Sequence, residues 1–163
     1  MYNNQTLSII LPALNEEKSI SAYVIELKKL NIFDEIICVD NNSTDSTKAE
    51  IIKNNVTYLF EDKKGYGAAV KRGLNHAKTD LLMVSEPEGS FVAKDSLILL
   101  EKLEEYDAVF TSRTYNDHMI FYLKYGNRLY AKFLSLLFSG PRLSDVGSSF
   151  RVFKKINFDT FRD

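Results

Sequence analysis

Glu86 and Glu88 stand one residue apart around Pro87, just past the apolar run 81–85 (Leu-Leu-Met-Val-Ser). A buried strand that ends in paired acids offers oxygen ligands to a divalent cation. Mg²⁺ or Mn²⁺ at such a place is usually held by one or two carboxylates plus the phosphates of a substrate. The chemistry suggested is the handling of a nucleoside diphosphate. Taken alone, a Glu-X-Glu pair is more commonly a charged loop between a strand and a helix. A third acid, Asp40, changes the balance, because it closes a second apolar run, Ile36-Ile37-Cys38-Val39.

These acids need elements to position them. Residues 7–11, apolar and bounded by Pro12, predict a buried parallel strand. Asn15 offers a cap for a helix in which Ile20, Tyr23, Val24, Leu27 and Leu30 recur at helical spacing. Residues 35–40 predict a second strand, and the turn residues 41–45 lead into a helix reaching about residue 54. A third strand is expected over 56–60, a helix opened by Gly65-Tyr66-Gly67 through about residue 77, and a fourth strand over 81–85. Residues 94–106 read as a helix with Leu97, Leu99, Leu100 and Leu103 inward, and 108–111 as a fifth strand. Alternation at this pace predicts an α/β fold with a mostly parallel sheet. In such sheets ligands gather at the carboxyl ends of the strands, where Asp40 and the Glu86/Glu88 pair both fall.

Beyond residue 111 the pattern changes. Residues 120–138 form an aromatic-rich helical stretch in which Lys124, Arg128 and Lys132 share a face. That face is either solvated or turned toward anionic lipid headgroups. A last strand is expected over 147–153.

Composition narrows the class. The 163 residues suffice for one domain with a sizeable core, at 45% hydrophobic and 26% charged. A formal net charge of −1 gives no basic field for nucleic acid. The single cysteine, Cys38, excludes an intrachain disulfide and reads as a small core residue, consistent with a reducing, cytoplasmic setting. The polar amino terminus lacks the order of a signal peptide, and no apolar stretch approaches the length of a spanning helix. His76 and His118 have no partner constellation and read as surface residues.

The motifs, taken in order, carry a resemblance. They are residues 9–17 (Ile-Ile-Leu-Pro-Ala-Leu-Asn-Glu-Glu), 39–45 (Val-Asp-Asn-Asn-Ser-Thr-Asp) and 64–73 (Lys-Gly-Tyr-Gly-Ala-Ala-Val-Lys-Arg-Gly), then 86–90, 111–113 and 145–151. Together they resemble the inverting family-2 glycosyltransferases of the GT-A fold, in particular the polyprenyl-phosphate sugar synthases, over residues 7 to about 155. The resemblance implies a three-layer α/β/α sandwich, a single domain over 1–163, and transfer of a sugar from a UDP- or GDP-linked donor with inversion. The acceptor implied is a polyprenyl phosphate or a glycan, in cell-surface glycan or glycolipid synthesis. It also implies that Asp40 reads the base, that Pro12, Ala13, Asn15 and Glu16 contact base and ribose, and that Gly67 and Lys71 lie near the nucleotide. Glu86 and Glu88 would hold Mg²⁺ or Mn²⁺. Arg113 and Arg151 would approach phosphate, Arg151 having a structural alternative in pairing with Asp145. Asp145 is the candidate base where the acceptor is a hydroxyl.

Two departures stand out: Glu-Pro-Glu replaces the family's usual Asp-X-Asp, and Asn41 stands where a second acid often follows Asp40. The relatives also generally continue past the Arg151 motif. The chain is therefore expected to lack carboxyl-terminal elements, either as a fragment or as a compact form whose acceptor site a homo-oligomer or partner subunit completes. A peripheral place on the inner membrane face would suit a lipid acceptor. The alternative is a non-catalytic nucleotide-sugar-binding module.

Overall fold

A computed structural model describes residues 2–87, 91–112 and 148–161, together with Leu129 and Lys132. The chain divides into two compact units, one of residues 1–109 with 150–163 and one of residues 110–149.

In the first unit, strands and helices alternate. They are β1 (Leu7–Ala13), α1 (Ile20–Leu30), β2 (Glu35–Asp40), α2 (Thr47–Lys53), β3 (Thr57–Phe60), α3 (Tyr66–His76), β4 (Leu81–Val84), α4 (Asp95–Leu103), β5 (Ala108–Phe110), β6 (Arg151–Lys154) and α5 (Lys155–Phe161). The sheet order is β3-β2-β1-β4-β6-β5. β1 pairs in parallel with β2 and β4, and β2 with β3, whereas β6 runs antiparallel to β4.

Side-chain alternation along the central strands makes two cores. Leu7, Ile9 and Leu11 of β1 pack with Ile20, Val24 and Leu27 of α1, Ile51 of α2 and Leu100 of α4. On the opposite face Ile10, Ile37, Val39, Leu82 and Val84 meet Ala69, Val70 and Leu74 of α3, with Phe158 of α5 at the margin. The result is an α/β/α sandwich. The α3 layer sits unusually close to the sheet. A Cβ placed on Gly73 would lie 2.4 Å from Ile10 Cγ2, so only glycine fits there.

Pro12 sits inside β1 rather than bounding it. The ladder explains the tolerance. Ala13 O accepts from Asn41 N–H at 2.8 Å on the β2 side, and Ile10 O accepts from Ser85 N–H at 3.1 Å on the β4 side. By alternation Pro12 faces the β4 side one step beyond the last pair, Ile10 with Val84, where no ladder donor is needed.

Three sequence expectations need correction. Asn15 does not cap α1. It adopts φ 59°, and the helix begins five residues later behind Ser19. Leu97 is 43% exposed; the inward face of α4 is Ser96, Leu99, Leu100 and Leu103, an i, i+3, i+4, i+7 set. The last strand is shorter than expected, starting at Arg151 rather than 147.

In the second unit the Thr111 and Ser148 hydroxyls share a hydrogen bond. Leu129 and Lys132 are helical. The rest of the expected 120–138 helix, including Lys124 and Arg128, lies outside the described residues. Among the described residues no helix is long and apolar enough to cross a membrane.

Candidate active site at the carboxyl rim of the sheet

Because β1, β2 and β4 run the same way, the loops that leave them emerge at one rim. β1 lies between the other two, so Asp40 on β2 and Glu86 just past β4 are separated by two strand spacings, about 10 Å.

The loops after β1 and β2 are laced together. Asn15 donates its backbone N–H to Ser43 Oγ at 3.0 Å, and its Oδ1 accepts from Thr44 N–H at 2.9 Å and Thr44 Oγ1 at 3.3 Å. Glu16 N–H donates to Thr47 Oγ1 at 2.7 Å, Glu17 N–H to Asp45 Oδ2 at 3.2 Å, and Ser46 N–H to Glu17 Oε2 at 3.0 Å. The Glu16 carboxylate accepts from the Ser19 hydroxyl. The left-handed backbone of Asn15 and of Asn42, φ 65°, suits asparagine, whose short polar side chain tolerates that region. Pro12 and Ala13 are buried beneath this lacing, Asn15 is exposed and Glu16 is half-buried.

Asp40 is only 3% exposed. Its Oδ1 accepts from Ser43 N–H at 2.9 Å and its Oδ2 from the Tyr58 hydroxyl at 3.2 Å. These bonds occupy about two of the roughly four lone-pair directions of a carboxylate. Burial, and then the neighbouring Asp40 charge, push the Tyr58 phenol up to about 12, which keeps Tyr58 a donor at neutral pH.

Asn41 is equally buried, and its amide makes three hydrogen bonds. Nδ2 donates to Glu61 O at 3.2 Å and Lys63 O at 2.9 Å, while Oδ1 accepts from Gly65 N–H at 2.8 Å. The loop between β3 and α3 is thereby fixed to the end of β2. Gly65 follows at φ 131°, a conformation that a side chain would strain. At Gly67 an added Cβ would meet no atom of the described residues within 4 Å, leaving open space at the start of α3. Lys71, one turn on, is exposed.

Past β4, Ser85 is buried against Tyr23 of α1, with 2.6 Å between the two hydroxyl oxygens. Glu86 is half-buried and Pro87 buried. Ser19, Ala22, Tyr23, Glu26, Pro87, Phe91 and Val92 line a cleft of about 340 Å³ beside this loop. Arg151 opens β6 opposite Val84, and its Nη2 donates to the Tyr66 hydroxyl at 3.3 Å. Its Nε is buried without a hydrogen-bond partner among the described residues.

Of the residues expected at the site, Ala13, Asn15, Glu16 and Asp40 belong to one hydrogen-bonded group with the loop after β2, and Pro12 is buried beside it. Gly67 and Lys71 join it through Asn41 and Gly65, and Arg151 reaches the same helix through Tyr66. Glu86 shares the rim. Glu88, Arg113 and Asp145 lie outside the described residues. Sequence reasoning missed Tyr58, Tyr66 and the Thr44, Asp45 and Thr47 hydrogen bonds; the only available signal was the run of Asn, Ser, Thr and Asp over residues 41–47. His76, expected to stand alone, has Nε2 3.5 Å from Glu35 Oε1, at the opposite rim.

The architecture is that of the GT-A glycosyltransferases. The family model for glycosyl transferase family 2 matches residues 8–161, and the chain belongs to that family. Among curated relatives, a protein of Mycobacterium tuberculosis named an uncharacterized glycosyltransferase is 33% identical over 66% of this chain and 48% of its own length. The low-salt glycan biosynthesis hexosyltransferase Agl6 of Haloferax volcanii is 27% identical over 95% of this chain and 40% of its own. The chain thus spans about half the length or less of these two relatives. Glucosyl-3-phosphoglycerate synthase from Mycobacterium tuberculosis, crystallised with Mn²⁺, UDP and glucosyl-3-phosphoglycerate, superimposes with a TM-score of 0.76 at 20% identity. That likeness covers 94% of this chain and 58% of the synthase, and it concerns the fold.

Proposed function

We propose that this chain is the donor-binding part of an inverting glycosyltransferase. It would take a sugar from a UDP- or GDP-linked donor to a polyprenyl phosphate or glycan acceptor, in cell-surface glycan or glycolipid synthesis. The observation that carries the reading is the shared rim, where parallel β1, β2 and β4 deliver Asp40, the laced Asn15–Glu16 loop and Glu86 to one edge. Agl6 acts in glycan biosynthesis by its name, and the superimposed synthase was crystallised with UDP and Mn²⁺.

Each residue has a part its surroundings allow. Asp40, locked by Ser43 and Tyr58, presents acceptor oxygens to the N–H of a base without having to reorganise. Asn15 and Glu16 border base and ribose from a loop held by hydrogen bonds rather than by chance packing. Arg151 is set to donate to phosphate oxygens, a partner its buried Nε lacks among the described residues. Among the described residues no group of three or more His, Cys, Asp or Glu side chains gathers to hold a metal ion. The donor set among the described residues just past β4 is nevertheless oxygen, the Glu86 carboxylate, while the Ser85 hydroxyl is buried against Tyr23 and Cys38 is buried in β2. That set fits Mg²⁺ or Mn²⁺. Glu86, with Glu88 and donor phosphate, would hold the ion, which when bound neutralises charge on the departing diphosphate. A polyprenyl phosphate is already an anionic nucleophile and needs no base; a sugar hydroxyl would pass its proton to Asp145.

Calorimetric titration with UDP and GDP, with and without Mn²⁺, tests the proposal. Metal-strengthened binding of one nucleotide, weakened by Glu86→Gln and by Glu88→Ala, is expected. Metal-indifferent binding with no turnover of any sugar nucleotide would mark a binding module instead. Sedimentation with anionic liposomes tests the membrane contact: retention unaffected by charge reversal at Lys124, Arg128 and Lys132 would remove it.

A further inference from the structure

The asparagine that follows Asp40 is a departure when read as a weakened acid, and its surroundings give it a different task. We propose that Asn41 is a positioning residue that docks the β3–α3 loop on the end of β2, and that residue type at 41 decides whether this loop is held. As far as that loop serves a nucleotide, the proposal rests on the function proposed above.

The geometry is specific to a carboxamide. Two carbonyl oxygens, of Glu61 and Lys63, face Nδ2, and one amide N–H, of Gly65, faces Oδ1. The pattern of partners itself assigns which end of the side chain is nitrogen. Two further bonds bracket it: Asn41 N–H donates to Ala13 O at 2.8 Å, and Glu61 N–H to Asp40 O at 3.0 Å. One side chain therefore joins the end of β2 to three backbone groups over five residues, just before the left-handed Gly65. The open space above Gly67 is held where α3 starts because this loop cannot swing.

An aspartate here would keep the acceptor for Gly65 but turn a carboxylate oxygen toward two carbonyls in a buried place. The charged neighbours are Asp40, one residue away, Glu61, whose carboxylate accepts from Lys63 N–H at 3.0 Å, and the exposed Lys63 and Lys64. Burial and the facing carbonyls would raise the folded-state pKa of such an acid above its usual value of about 3.9. The loss is then complete above that raised pKa. It fades as pH falls through it toward the unfolded value, because the protonated acid can donate to one carbonyl again.

The test is Asn41→Asp beside Asn41→Leu, read by amide hydrogen exchange at Gly65 and by Tm between pH 8 and pH 4.5, each relative to the wild type at the same pH. For Asn41→Asp at pH 8, Gly65 exchange is expected to accelerate about tenfold, and Tm to fall by about 5 °C. Both should recover in part at pH 4.5. Asn41→Leu should show the loss without the recovery. Wild-type exchange and Tm for Asn41→Asp across the range would overturn the proposal, and so would equal recovery by Asn41→Leu. UDP or GDP affinity, measured in parallel at pH 8, should drop in both variants. If the wild type binds neither nucleotide, the function proposed above fails while amide exchange still decides the role of Asn41.

Discussion

Arg151 reaches across from β6 to the first turn of α3, where its Nη2 donates to the Tyr66 hydroxyl at 3.3 Å while its Nε stays buried with no partner among the described residues. A buried donor left unmade costs about 1–3 kcal/mol, which an anion arriving at the rim would recover. Arg151→Lys removes the planar fork but keeps the charge. Its affinity for the nucleoside diphosphate is expected to fall about tenfold, with the monophosphate little changed. Titration of UDP against UMP, or GDP against GMP, measures the difference. An equal loss for both would take Arg151 away from the diphosphate.

Gly73→Ala would drive a methyl group into Ile10 at 2.4 Å from Cγ2. Overpacking of this kind costs about 1–3 kcal/mol, and a Tm lower by roughly 4–8 °C is expected for a cost near the middle of that range. The penalty should shrink when Ile10→Ala makes room. A double-mutant cycle on thermal unfolding checks the coupling; strictly additive effects would refute the close approach.

Asp80 accepts from the Thr6 backbone N–H at 2.8 Å and from the Thr6 hydroxyl at 2.7 Å, and these bonds hold its carboxyl below the usual value of 3.8. A depressed folded-state pKa contributes stability that is fully present above the unfolded value and lost as pH falls through the folded one. Tm of the wild type should therefore drop below about pH 4, and Asp80→Asn should flatten that part of the profile. Parallel profiles for the two proteins would exclude the linkage.

Cys38 is fully buried in β2, and burial pushes its thiol up to about 12. Reaction with a thiol reagent at pH 8 should be negligible in the native protein and should proceed to one equivalent on unfolding. Rapid modification of the native chain would contradict the placement of β2.

The central strands were readable from the sequence because burial leaves a plain mark. Residues 35–40 are apolar between two acids, and β2 occupies that span. Helix phase was harder at α4, since Ser96 is buried and breaks the apolar stripe that would have placed Leu97 outside. Asn15 has the side chain of a cap and used it on another loop; local chemistry cannot reveal that its partner is Thr44, 29 residues away. Asn41 shows the same limit, because its three backbone partners lie 20 to 24 residues downstream. The antiparallel return of β6 follows a connection of about forty residues, over which sequential alternation carries no direction. The rim acids were legible in type and position, but their burial and their donors were not.

Gly73 has a mechanical corollary. With backbone hydrogen set against Ile10, α3 cannot slide or roll on the sheet without collision, so it serves as a stationary post. Any rearrangement that accompanies ligand arrival on that side must therefore first release the loop between Glu61 and Gly65 from Asn41, upstream of the post.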